Sequence, residues 1–247
     1  MKIGITGKGG VGKTTISGIL ARALAQQGHR VIALDCDSNP NLGLALGLTP
    51  EETDRLAGIR QALDAGEGEH APTVPEMLER FGAEAPDGVR LAVVTRIEEP
   101  NPGCPCCGIS PEKLLGQLEA EGRVVIADFE AGLGTLSRMQ PDQVDMLLVV
   151  VEPTAKSLEV GRRALELIRE RGVGDVRVIA NRVRGEDDAR LLEGSFEQGV
   201  LTSIPEDPAV RAAGVQGVSP FDAAPDAPAV RAVSALAESL TQPSHSM

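Results

Sequence analysis

A glycine-rich run near the start of the chain carries the residue types that bind phosphate. Residues 7–15 form the sequence GKGGVGKTT and fit the pattern G-x-x-x-x-G-K-[ST]. Glycines allow backbone N–H groups to turn toward phosphate oxygens, and the following helix N-terminus adds partial positive charge. We therefore expect bound nucleotide phosphates with Mg²⁺, with Lys13 on the β- and γ-phosphates and the Thr14 hydroxyl on the metal. The loop residues expected around them are Gly7, Lys8, Gly9, Gly10, Val11, Gly12 and Thr15.

Two acidic segments follow apolar runs that have the character of buried strands. Asp37 lies just after the run 31–35, and Asp128 lies near the end of the run 123–129. Ligands of open α/β sheets bind beyond the carboxyl ends of the strands, so both carboxylates are expected beside the phosphate loop. A strand-end carboxylate in that position holds Mg²⁺, which is the role expected for Asp128. The alternative is that these carboxylates only stabilise turns.

Three closely spaced cysteines form a second candidate site, since Cys104, Cys106 and Cys107 lie within NPGCPCCG. Pro105 favours an extended backbone before it, in which Cys104 and Cys106 point the same way. Two thiolates do not complete a metal site, but a two-fold dimer brings four together. The spacing therefore favours one metal per dimer. Inert buried cysteines and a redox-sensitive thiol cluster are the alternatives.

These residues must be positioned by the elements between them, and the chain alternates strand and helix patterns. Apolar residues at helical spacing follow the phosphate loop from Ile16 to Leu24. The fold class predicted is α/β, with one doubly wound, mostly parallel sheet flanked by helices, in a single domain over residues 1–247. The predicted strands cover 2–6, 31–35, 91–95, 123–129, 146–151 and 176–181. The predicted helices, besides the first, cover 50–65, 75–81, 110–120, 154–170 and 228–240.

Composition excludes several classes of partner. The formal net charge of -12 argues against nucleic acid, because phosphate-backbone binding needs clustered lysine and arginine. No apolar run reaches the length of about 18 residues that a membrane span needs, and the chain enters its first strand without a signal peptide. Clustered cysteines suit a metal site in a reducing compartment. The protein is therefore expected to be cytoplasmic, with neither a nucleic-acid nor a membrane partner.

The form K-G-G-x-G-K-T of the phosphate loop resembles that of the deviant Walker A ATPases, the group of MinD, ParA and the nitrogenase iron protein. The resemblance implies that Lys8 reaches the nucleotide of the other subunit of a homodimer, although a solvated loop charge is the alternative. It further implies that Asp37 contacts the attacking water or the magnesium shell. Lys8, Lys13, Asp37 and Asp128 are therefore the expected catalytic residues.

The same resemblance implies where the base lies. An asparagine at the position of Asn181 reads the adenine in that family. The segment 202–208 resembles the family's second base-binding loop. The base-binding residues expected there are Pro205, Glu206 and Asp207.

Further stretches resemble one branch, the CooC-type accessory ATPases that mature the nickel site of carbon monoxide dehydrogenase. They include DCD at 35–37, the C-x-C at 104–106, DFEAGL at 128–133 and EPT at 152–154. The resemblance implies an ATP-promoted homodimer with Ni²⁺ or Zn²⁺ between the cysteine pairs of both subunits. It also implies that hydrolysis is coupled to nickel delivery to the dehydrogenase. Cys107 departs from the pattern and leaves open which pair ligates the metal.

Other functions remain open on the sequence. A MinD- or ParA-like switch with another client shares the ATP chemistry, but the basic residues for DNA or for a membrane-binding C-terminal helix are lacking. A dimeric iron–sulfur electron carrier needs a second cysteine after the strand-end carboxylate, and residues 128–134 have none. A nucleotide-gated metal-storage dimer differs only in whether hydrolysis matters.

Overall fold

The computed structural model describes residues 1–37, 39–56, 82–94, 111–118, 120 and 122–241. The strands are β1 (Lys2–Gly7), β2 (Arg30–Cys36), β3 (Ala83–Ala85), β4 (Val89–Val93), β5 (Arg123–Phe129), β6 (Met146–Val151), β7 (Asp175–Val183) and β8 (Thr202–Pro205). The helices are α1 (Lys13–Gln26), α2 (Leu42–Leu46), α3 (Pro111–Gln117), α4 (Ala155–Arg171), α5 (Glu186–Glu193), α6 (Pro208–Gln216), α7 (Pro220–Ala223) and α8 (Pro228–Thr241), and residues 50–56 are also helical.

The eight strands form one sheet in the order β3-β4-β2-β5-β1-β6-β7-β8. All neighbours pair in parallel except β3 and β4, which are antiparallel. The fold-class prediction is therefore confirmed. Because β5 lies between β2 and β1 and all three strands are parallel, the loops that follow them lie at one edge of the sheet.

Helices cover both faces of the sheet, and residues of β6 alternate between the two cores. Leu148 and Val150 join a core with α1 and α8, whereas Leu147 and Val149 join a core with α3 and α4. Strands buried on both faces become near-continuous apolar runs in the sequence. That is why the predicted runs 123–129 and 146–151 coincide with β5 and β6.

Other elements differ from the prediction in extent or were not predicted. The predicted strand 91–95 is β4, two residues earlier, and the predicted helix 110–120 is the shorter α3. The short strands β3 and β8 and the helices α2 and α5 to α7 had no counterpart among the predicted strands and helices. Within the ranges described above, no helix has the length and apolar character needed to span a bilayer. The predicted helix 75–81 lies outside those ranges.

Candidate functional site

The phosphate loop connects β1 to α1 and depends on glycine at both ends. A Cβ on Gly7 would collide with the carbonyl oxygen of Val150 on the neighbouring strand. Gly12, just before α1, has a φ of 96°, and a Cβ there would lie 2.5 Å from the Asn181 amide nitrogen. The loop therefore approaches its neighbours more closely than a side chain permits, as a backbone cradle for phosphate requires.

Lys13 is the first residue of α1 and is 7% exposed. Its ammonium nitrogen Nζ lies 3.4 Å from the carbonyl oxygen of Lys8, so the lysine stays at the mouth of the loop. Burial lowers the pKa of Lys13, while the carboxylates of Asp128, Asp37 and Glu130 act in the opposite direction. The structure thus brings Lys13 together with both predicted carboxylates.

Asp128 lies at the end of β5 and is 1% exposed. Burial raises its pKa to about 6, although hydrogen bonds from Thr14 and Ser17 and the positive charge of Lys13 act to lower that pKa. The Ser17 hydroxyl oxygen lies 3.1 Å from Asp128 Oδ1 and 2.9 Å from the Lys13 carbonyl oxygen, so its single proton has two acceptors. A hydroxyl and a carboxylate in contact are oxygen ligands of the kind Mg²⁺ prefers, so the Thr14 and Asp128 pair fits that ion.

Asp35 and Asp37 organise the turn that follows β2. The Asp35 carboxylate accepts the backbone N–H groups of Asp37 and Leu42, at 3.1 and 2.8 Å. Burial raises the pKa of Asp35 to about 7, and the nearby Asp128 contributes in the same direction. Asp37 Oδ1 accepts the N–H of Asn39 at 2.9 Å. Asp35 therefore stabilises the turn. Asp37 also stabilises the turn, and in addition it lies beside Lys13.

Lys8 makes an ion pair within its own chain. Its Nζ lies 3.5 Å from Glu152 Oε1, and Arg182 Nη1 lies 3.1 Å from Glu152 Oε2. Arg182 has a φ of 56°, an uncommon backbone conformation for a residue other than glycine. Glu152 directly follows β6. The signal that identified Asp128, a carboxylate after an apolar run, could therefore have identified Glu152 from the sequence.

The predicted base-binding residues line one cavity of about 760 Å³ beside the phosphate loop. Asn181 lies there, and its Nδ2 donates to the Val11 carbonyl oxygen at 2.6 Å. Asp207 lines the cavity too, but its two oxygens accept the N–H groups of Ala209 and Ala229 at the starts of α6 and α8. Asp207 therefore ties two helices together. The other predicted residues on the cavity wall are Gly12, Thr15, Pro205 and Glu206.

Cys104, Cys106 and Cys107 lie outside the described residues. Within the described residues, no group of three or more His, Cys, Asp or Glu side chains is arranged to hold a metal ion. Cys36 is buried at the end of β2, and its burial raises the pKa of its thiol.

Comparisons with known proteins agree with the motif and the sheet. Residues 3–221 match the CbiA family, described as the CobQ/CobB/MinD/ParA nucleotide binding domain. The carbon monoxide dehydrogenase accessory protein CooC of Rhodospirillum rubrum is 34% identical over 244 residues, which is 91% of each chain. An uncharacterized ATP-binding protein of Methanocaldococcus jannaschii is 37% identical over 84% of this chain and 86% of its own.

Solved structures share the fold at lower identity. The septum site-determining protein MinD of Pyrococcus horikoshii, complexed with Mg-ADP, has a TM-score of 0.72 and 23% identity. That similarity covers 98% of this chain and 96% of MinD. A ParA family ATPase of Chlorobium tepidum has a TM-score of 0.73 and 22% identity, over 97% of this chain and 98% of its own.

Proposed function

Because the chain belongs to the CobQ/CobB/MinD/ParA nucleotide-binding family and is an ATPase of the MinD/ParA type, we propose that it hydrolyses ATP to deliver nickel to carbon monoxide dehydrogenase. The observation that carries this proposal is the 34% identity with CooC, since it extends over 91% of both chains. The C-x-C pair at Cys104 and Cys106 supports it, because thiolates are suitable ligands for nickel and zinc.

The chemical step is transfer of the γ-phosphoryl group of ATP to water, in which positioning and charge neutralisation do most of the catalysis. Lys13 and the backbone N–H groups of the loop bind the phosphates. Thr14 and Asp128 hold Mg²⁺, which neutralises charge on the β- and γ-phosphates when bound. Asp37 orients the attacking water. The burial of Lys13 and Asp128 supports these roles, because excluded water strengthens each charge interaction.

The base occupies the cavity between the phosphate loop and β8. Asn181 and Glu206 offer polar groups to it, and Pro205 contributes a wall. Asp207 acts indirectly, by holding the starts of α6 and α8 around the cavity. This arrangement orients ATP with its phosphates toward Lys13.

Delivery requires a homodimer in our proposal. Lys8 of each subunit acts on the nucleotide of the other, and the paired cysteines of both subunits hold one Ni²⁺ ion as cargo. Zinc competes for such a thiolate site, because the affinities of divalent ions overlap. The reducing cytoplasm is the compartment that keeps these thiols available.

The proposal is tested by metal content per subunit, together with oligomer mass, on protein purified without oxygen. The measurement is made with and without a non-hydrolysable ATP analogue. We expect half an equivalent of nickel or zinc per subunit in a dimer with the analogue. The double variant Cys104→Ser/Cys106→Ser should lose the metal, and Cys107→Ser is the matched control that tests the third cysteine.

Three outcomes contradict the proposal. Iron with acid-labile sulfide indicates an electron carrier, and no metal at all leaves a dimerising ATPase with another client. An Asp37→Asn variant separates delivery from storage, because it keeps the metal site and removes hydrolysis. If that variant still transfers nickel to the apo-dehydrogenase, hydrolysis does not drive delivery.

A further inference from the structure

Glu112 is a buried carboxylate with only one of its oxygens satisfied. It lies in the first turn of α3 and is 4% exposed. Its Oε1 accepts a hydrogen bond from Arg138 Nε at 2.6 Å. Its Oε2 is buried without a hydrogen-bond partner, the one such side-chain atom in the part of the chain that the structure describes.

Arg138 belongs to the segment that follows Asp128 and contacts the phosphate loop, since the Gly132 N–H donates to the Gly7 carbonyl oxygen at 3.4 Å. It ends a short 3-10 turn, Leu136–Arg138, which follows the glycine-containing loop 130–134 after Asp128. Its Nη1 lies 4.0 Å from where a Cβ on Gly134 would be, so the guanidinium lies next to that loop. The Arg138–Glu112 pair thus joins the loop after the magnesium carboxylate to α3.

Other contacts of α3 are of a different kind. Leu114 and Leu115 pack into the core, and Lys2 Nζ donates to the Leu115 carbonyl oxygen at 2.8 Å. These contacts hold the middle of the helix against the sheet. Arg138 holds its first turn, which is the end nearest in sequence to the cysteine pair.

A buried carboxylate oxygen without a donor is costly, and folded proteins rarely retain one. A guanidinium can donate two parallel hydrogen bonds to a carboxylate, whereas Nε alone donates one here. A small movement of the segment 130–138 relative to α3 therefore converts a single contact into a forked one. A single contact and a forked contact are two discrete arrangements of the kind that a coupling element needs.

We propose that Glu112 is a positioning residue through which the nucleotide-dependent segment 130–138 sets the first turn of α3. Nucleotide binding changes the Arg138–Glu112 contact from one hydrogen bond to two. Because Cys106 precedes α3 by only a few residues, metal affinity then depends on the bound nucleotide, a consequence that rests on the proposed function. By reciprocity, bound metal changes nucleotide affinity by the same factor.

Hydrogen–deuterium exchange of residues 111–118 tests the coupling without any metal. The full chain is measured without nucleotide, with ADP and with a non-hydrolysable ATP analogue. We expect the exchange rate to change on the order of tenfold between ADP and the analogue. Arg138→Lys keeps the positive charge but cannot form the fork, so the nucleotide response should fall below about twofold. Arg163→Lys, which alters the exposed pair with Glu159, is the matched control.

The second readout is Ni²⁺ affinity of the same proteins with ADP and with the analogue. The ratio of the two affinities should be on the order of tenfold in the unmodified chain and near one in Arg138→Lys and Glu112→Gln. Thermal melting checks that the variants remain folded.

The outcomes are separable. If exchange over 111–118 ignores nucleotide in the unmodified chain, or Arg138→Lys keeps the full response, the coupling is overturned. If the helix responds but Ni²⁺ affinity is equal in both nucleotide states, the consequence for metal is overturned. If the chain binds no metal, the proposed function fails, while the exchange result still decides the role of Glu112.

Discussion

The side-chain amide of Asn181 donates a 2.6 Å hydrogen bond to the carbonyl oxygen of Val11, so the base cavity is attached directly to the phosphate loop. A Cβ on the next residue, Gly12, would lie 2.5 Å from that same amide nitrogen. The hydrogen bond therefore couples the positions of the two halves of the nucleotide site. Asn181 has one function toward the loop in addition to any contact with the base.

Replacing Asn181 should weaken ATP binding more than it slows hydrolysis. Asn181→Ala removes a side chain that both holds the phosphate loop and lines the base cavity, so the KM for ATP should rise on the order of fivefold, which corresponds to about 1 kcal/mol. Asn181→Asp should raise it further, because a carboxylate faces the Val11 carbonyl oxygen and cannot donate to it. Steady-state kinetics measure both variants. An unchanged KM in Asn181→Ala would falsify the role assigned to this contact.

Stability should depend on pH through the buried carboxyl of Asp35. Burial raises its pKa to about 7, whereas an unfolded aspartate has a pKa of about 3.9. The folded state therefore binds the proton more tightly. This contribution to the free energy of unfolding is complete below about pH 4 and is lost as the pH rises to about 7, by up to about 1.4 kcal/mol per pH unit.

Urea unfolding at several pH values, on nucleotide-free protein in chelator, measures this dependence. Asp35→Asn should flatten the decline between about pH 4 and 7, because the amide does not titrate. The pKa of Asp128 is also raised, to about 6, so part of the decline should remain in the variant. Identical slopes in both proteins would contradict the prediction.

The parts of this site that could be predicted from sequence are local in the chain. The phosphate loop and the strand-end carboxylate Asp128 are motifs in which neighbouring residues carry the signal. The contacts Asn181–Val11 and Arg138–Glu112 join residues 170 and 26 positions apart, and no spacing rule connects them. Glu152 lay at a strand end, yet its pairing with Lys8 depends on which strands are neighbours.

The same distinction holds for the fold. The strands β5 and β6 are buried on both faces, so the limits of their apolar runs in the sequence predict the limits of the two strands. β3 has only three residues and is stabilised by its pairing with β4. The three residues alone carry no pattern that predicts this pairing. α5 starts with three acidic residues, Glu186, Asp187 and Asp188. In the sequence alone, such a run is equally typical of an exposed loop.

Arg22 should be a large contributor to stability, although it lies outside the nucleotide site. Its guanidinium, on α1, donates to Asp87, to Asp222 and to the Leu46 carbonyl oxygen, and only 5% of the side chain is exposed. It also lies 5.0 Å from the centroid of the Phe221 ring. The residue therefore ties α1 to α2, to α7 and to the turn before β4.

Arg22→Met should lower the free energy of unfolding by about 2–4 kcal/mol, because its partners lose their donor. Urea denaturation measures the loss. The control is Arg163→Met, whose pair with Glu159 is exposed and should cost less than about 0.5 kcal/mol. Similar losses in the two variants would show that burial of Arg22 contributes nothing beyond a surface pair.

Lys8 should act on the nucleotide of the partner subunit, as the proposed function requires. Within one subunit it is paired with Glu152 and 28% exposed, so it must leave that pair to reach across. Lys8→Ala should lower kcat at least on the order of a hundredfold while ATP still binds through Lys13. Lys156→Ala, an exposed lysine on α4, is the control and should leave kcat unchanged.

Mixing two inactive variants distinguishes action across the dimer from action within a subunit. A dimer of one Lys8→Ala subunit and one Lys13→Ala subunit contains one complete site only if Lys8 acts in trans. An equal mixture should then regain up to about a quarter of the unmodified activity, since half of the dimers are mixed and each has one intact site. Glu152→Gln, which weakens the resting pair, should let dimers form at lower protein concentration with ATP. A mixture that stays inactive, with mixed dimers demonstrated by mass, would place Lys8 within its own subunit.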